Sequence, residues 1–170
     1  MHGGPPLSRP LSRPKGWLLL LAALLVVALG AGLIAGQLQR AKPVRVTNLP
    51  TPSSADAAAC RKLSALLPGT IGDGLKTRTV HPSSPLLHAW GTPAAVLRCG
   101  VGYPPNFPSA GGAAQIDGVI WVSTSSGDAV IYTAVDRLPR VSLAIPTHYQ
   151  VAGDLLISIA PALKQATTGN

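Results

Sequence analysis

The sequence predicts an α+β domain carried behind one N-terminal membrane-spanning helix, its own elements running helix, strands, helix. Three observations predict it. Residues 17–36 are apolar without a charge. Residues 54–67 and 151–165 repeat their apolar side chains at helical spacing. The stretch between them breaks into short β-rich runs divided by turn residues. A chain of 170 residues has room for one such domain and a membrane segment, but not for two domains.

Residues 1–16 are basic and proline-rich, with the tandem tetrapeptides Leu7-Ser8-Arg9-Pro10 and Leu11-Ser12-Arg13-Pro14. Two copies cannot build a repeat fold, so this segment reads as a disordered tail against anionic lipid. A helix over 17–36 spans roughly 30 Å, the thickness of a hydrocarbon core, and Trp17 stands where an indole favours the headgroups. The competing reading is a cleaved signal peptide and a secreted product, with Leu18–Leu29 as its apolar region and Ala28-Leu29-Gly30 as its site. Against it, the run continues through Leu33, Ile34 and Ala35, which a cleaved signal does not need. Ala28, Gly32 and Gly36 share a small-residue face, but a plain anchor explains them equally and leaves the oligomeric state open. Residues 37–54 hold three prolines and read as a stalk.

The folded domain is expected over 55–166. Ser54 is the predicted N-cap and Asp56 lies in the first turn, where the helix dipole favours an anion. Cys60, Leu63 and Leu67 share one helix face, and Pro68-Gly69 ends it. Strands are predicted over 76–80, 94–100, 118–123, 129–135 and 140–145. Ser126-Gly127-Asp128 makes the third and fourth of these a hairpin. The last helix, 151–165, carries Leu155, Leu156, Ile159 and Leu163 on one face, with Pro161 expected to kink or shorten it. Together they give one antiparallel sheet with both helices on one side.

The net charge of +8 suggests nucleic acid until its location is read. Arg9, Arg13, Lys15, Arg40, Lys42 and Arg45 all flank the apolar run; beyond Arg45 there are eight basic residues against six acidic ones. The charge belongs to the membrane flanks, and no nucleic-acid partner is expected. Three basic residues on each side leave the orientation nearly undecided by charge. The cysteines decide it: Cys60 and Cys99 are the only two, and a disulfide needs the oxidising side of the membrane. This puts the tail in the cytoplasm and the domain outside. Two buried free thiols are the alternative.

Motifs for chemistry are missing. None of His2, His81, His88 and His148 has metal-ligand spacing, no nucleotide-binding glycine pattern occurs, and the serines lack a nearby base in sequence. No catalytic residue, metal or cofactor is therefore expected. The remaining candidates are basic. Arg98 sits in an apolar strand beside Cys99, so it faces solvent or is held by a carboxylate. Asp136 to Arg140 places Arg137 and Arg140 around a turn, with Asp136 available to pair. A groove for an anionic ligand or partner protein would use Trp90, Arg98, Asp136, Arg137 and Arg140. Salt bridges, turn chemistry and a core position for Trp90 form the competing structural reading.

Four segments carry a family resemblance. They are Cys60 with Leu66-Leu67-Pro68, the run Ala89-Trp90-Gly91-Thr92-Pro93 through Leu97-Arg98-Cys99-Gly100, the run Asp117 to Trp121, and the run Arg140 to Tyr149. Together they resemble an actinobacterial domain-of-unknown-function family of membrane-anchored proteins, family three-five-one-five, over roughly residues 55–165. The resemblance implies a Gram-positive source, an extracytoplasmic domain and a disulfide, and it implies no activity. The expected function is a non-enzymatic envelope module that touches lipid through its anchor and binds an envelope protein or a cell-wall component. An envelope hydrolase with an Asp and an Arg at a groove rim is the alternative class.

Overall fold

The computed structural model describes residues 24–25, 42–105, 107 and 112–170. Leu24 and Leu25 are helical, but the rest of the span expected at 17–36 lies outside the described residues, as do the tail 1–16 and residues 37–41. No helix among the described residues is long and apolar enough to cross a membrane. Lys42–Asn170 forms one compact unit.

That unit is α+β. Helix α1 (Ser54–Leu66) and helix α2 (Ala152–Ala166) accompany an eight-stranded sheet in which every pairing is antiparallel. Its strands are β2 (Thr70–Ile71), β3 (Leu75–Arg78), β5 (Leu87–Trp90), β6 (Ala95–Cys99), β7 (Ala113–Ile116), β8 (Val119–Ser126), β9 (Ala129–Ala134) and β11 (Val141–Pro146). They lie in the order β2-β3-β5-β6-β11-β9-β8-β7. Two small pairs stand apart: β1 (Val44–Arg45) with β4 (Val80–His81), parallel, and β10 (Arg137–Leu138) with β12 (Thr168–Gly169), antiparallel.

Helix α1 begins one residue earlier than the composition suggests. Ser53, not Ser54, is the N-cap; its Oγ accepts the Asp56 N–H at 3.1 Å. Helix α2 runs through Pro161 to Ala166 without being shortened. A proline there removes one backbone donor, but Leu155, Leu156, Ile159, Ala160 and Leu163 are buried on both sides of it, and that burial outweighs one lost bond. Lys62 Nζ donates to the Gln165 carbonyl at 2.7 Å and ties the end of α2 to α1.

The strand alternation fixes which face the helices cover. Leu97 pairs with Leu143, and Cys99 with Val141; these, with Ala95, Trp121 and Val119, are buried in the core with both helices. Cys60 on α1 and Cys99 on β6 form the disulfide, with Cα atoms 5.7 Å apart. The opposite face carries the other residues of each register, among them Arg98 opposite Ser142.

The segment expected as stalk, 37–54, is from Lys42 onward part of the fold. Val44 and Arg45 pair beside Val80 and His81, and Val46 is buried. This pairing spans some 36 residues of chain, so no local pattern announces it.

Candidate functional site

Most of the basic candidates are brought to the sheet, but not to one place. Trp90 is no groove residue. It is fully buried, because β5 faces the helices at His88 and Trp90, and its indole N–H donates to the Pro68 carbonyl at 2.9 Å. Asp136 and Arg137 are committed locally. The Asp136 carboxylate accepts the Ile120 N–H at 3.0 Å and lies 3.7 Å from Arg137, whose Nη2 reaches the Gly118 carbonyl. They close the end of β8, three strands from β6 and so at least about 14 Å from the backbone of Arg98 at ordinary strand spacing. No aspartate is therefore brought to Arg98.

Arg98 and Arg140 do come together. Arg98 pairs across β6–β11 with Ser142, and Arg140 follows two residues away on the same face, its carbonyl accepting the Gly100 and Val101 N–H groups. Arg98 opens into a groove of about 420 Å³ walled by Asn48, Leu49, Pro50, Thr51, Gly100 and Val101. Gly100 permits this close approach: its φ is +82°, and a Cβ there would stand 2.7 Å from Pro52. The Arg98 Nη2 donates to the Thr47 carbonyl at 3.3 Å, while its Nε is buried without a partner. Arg140 lays its guanidinium 3.5 Å from the Tyr103 ring centroid, and Tyr103 stacks on Phe107 at 4.5 Å. The Arg140 Nε is likewise buried and unpartnered.

Neither arginine has a carboxylate partner. Among the described residues, which include all six aspartates, the side-chain ion pairs are Asp136–Arg137 and Asp117–Lys164. Of the two alternatives for Arg98, a holding carboxylate is thus excluded. Both guanidinium groups are without a carboxylate to compensate them.

One polar pair escaped sequence reading. His88 lies on β5, and its Nε2 is 3.0 Å from Ser64 Oγ on α1, 24 residues away in sequence. Both line a second cavity of about 370 Å³ with Thr77, Thr79, Ser83 and Ser84. A hydroxyl on an imidazole is the start of a nucleophile–base pair. Here no carboxylate orients the ring, and the pair reads as a tie between helix and sheet. Burial lowers the His88 pKa below 6.5. The unfolded chain therefore takes up a proton before the folded one does, and stability falls as pH drops through and below about 6.5. The midpoint of thermal unfolding is expected to be level above that pH and to decline below it. His88→Gln is expected to flatten the decline; an unchanged slope would remove His88 as its source.

A family model described as "Protein of unknown function (DUF3515)" matches residues 18–168. No curated protein and no solved structure matches the sequence.

Proposed function

The chain belongs to the family of proteins of unknown function DUF3515, and from that premise we propose a membrane-anchored, extracytoplasmic, non-catalytic module that binds an anionic envelope partner at Arg98. The observation that carries this reading is the groove itself. A guanidinium faces a cavity of about 420 Å³ with one buried N–H unpartnered and no carboxylate on the wall. The terminal N–H groups of the Arg98 guanidinium are the ones an arriving carboxylate or phosphate oxygen pairs with, a charge-assisted bond that no side chain of the described residues supplies. The partner is a component of the envelope bearing such a group. The anchor rests on the apolar run 17–36 and the outward location on the disulfide.

Photocrosslinking from position 101 in intact cells tests it, with a photoreactive residue replacing Val101 at the groove wall. The expected adduct falls about tenfold or more when Arg98→Gln is added, as loss of a charge-assisted bond implies. An adduct of equal yield in Arg98→Gln overturns the assignment of the groove. Turnover by the purified chain, abolished by replacing one polar residue, overturns the non-catalytic reading.

A further inference from the structure

We propose that the anion recognised at Arg98 is the headgroup phosphate of acidic phospholipid, so that the domain docks on its own membrane through the Arg98 groove and the exposed side chains around it. The inference rests on the anchored, anion-binding reading and adds the identity of the partner. Three observations converge on it.

The first is charge: Arg98 lines the groove and Arg140 lies two residues from its cross-strand partner Ser142, neither has a carboxylate to neutralise it, and the groove wall contains none. The second is the rim. Leu49, Tyr103 and Phe107 are 40%, 45% and 37% exposed, which places apolar and aromatic side chains in solvent around the two cations. Cations beside exposed aromatics match the chemistry of a headgroup interface, where the charges meet phosphate and the rings enter the boundary of the acyl region. A soluble polyanion would satisfy the arginines but leave the rings in water. The third is reach. The compact unit begins at Lys42, so only residues 37–41 separate it from the apolar run ending at Gly36, a chain of at most about 18 Å. One groove wall, Asn48–Thr51, follows a few residues later. So short a tether keeps the domain at high effective concentration over the headgroups, and a weak contact then suffices.

The test uses the full chain in nanodiscs, with hydrogen exchange read at backbone amides of residues 48–51 and 98–103. Phosphatidylglycerol discs are compared with purely zwitterionic ones, and a third arm adds soluble poly(glycerol phosphate) to the zwitterionic discs. Exchange is expected to slow roughly tenfold in the phosphatidylglycerol discs alone, and Arg98→Gln/Arg140→Gln is expected to abolish the slowing while its exchange in zwitterionic discs matches that of the unaltered chain, which shows the variant folded. Slowing only with the soluble polymer overturns lipid docking and leaves the anion-binding reading intact. No slowing in any arm overturns lipid docking, and the anion-binding reading then stands or falls with the Arg98→Gln crosslink. Slowing that persists in the double variant overturns docking through this groove.

Discussion

Replacing Cys60 and Cys99 by alanine lowers the unfolding midpoint by about 10–20 °C, the larger of the expected stability effects. The bond closes a loop with a sequence separation of 39 residues. On the chain-entropy account such a loop is worth about 4 kcal/mol, and for a domain of this size each kcal/mol moves the midpoint by about 3–5 °C. Both cysteines are fully buried in the core between α1 and β6, so lost packing adds to the entropic term. The bond is also the covalent link between α1 and the sheet, which Ser64–His88 reinforces one helical turn further on. Differential scanning calorimetry of the oxidised chain and the double variant reads the effect. A drop under about 3 °C would mean that helix packing alone holds α1. The same cysteines carry a cellular readout: thiol labelling of unfolded protein taken from intact cells is expected to find them blocked until reductant is added. Free thiols there would withdraw the outward orientation with the disulfide.

Where periodicity ran long enough, the sequence predicted the elements. Both helices show their buried stripe directly, and the hairpin of β8 and β9 was announced by Ser126-Gly127-Asp128, with Ser126 pairing Ala129 across the turn. Of the elements of two to four residues, only Leu75–Arg78 was legible, as the strand expected over 76–80. Leu87–Trp90 follows a Pro- and Ser-rich stretch and is too short to show alternation. Ala113–Ile116 is an edge strand of small and exposed residues, and its alanines have no strand preference. Its turn was nevertheless readable: Asp117 and Gly118 both have positive φ, as the tight turn between Ile116 and Val119 requires. Half of the candidate site followed from parity. Arg98 alternates with Leu97 and Cys99, so once those two face the core it faces away. Its neighbours were not legible, because Arg140 and Asn48–Thr51 reach it through tertiary pairing. Ser64–His88 was hidden for the same reason. Asp136 is read from sequence as available to pair and does lie 3.7 Å from Arg137; what the sequence does not show is that it also accepts the Ile120 N–H of β8.

The two core tryptophans are expected to answer the same substitution differently. Trp90 and Trp121 are both essentially inaccessible, yet only Trp90 has its N–H satisfied, by the Pro68 carbonyl at 2.9 Å. The Trp121 Nε1 is buried without a partner. Trp90→Phe removes a made bond, leaves a carbonyl at the end of α1 without its donor and opens space, together about 2–3 kcal/mol. Trp121→Phe opens similar space but also removes an orphaned polar group, whose burial costs roughly 1–3 kcal/mol, so the two effects offset and the net change is within about 1 kcal/mol. Trp90→Ala, losing the whole side chain, is expected to cost about 3–5 kcal/mol. Urea unfolding of the two phenylalanine variants gives the comparison directly, since equal slopes make the difference in midpoints a difference in stability. Equal losses at the two positions would mean that ring volume governs both sites and the Pro68 bond contributes little. A larger loss at Trp121 would mean that its N–H has found a partner, for which an ordered water is the natural candidate.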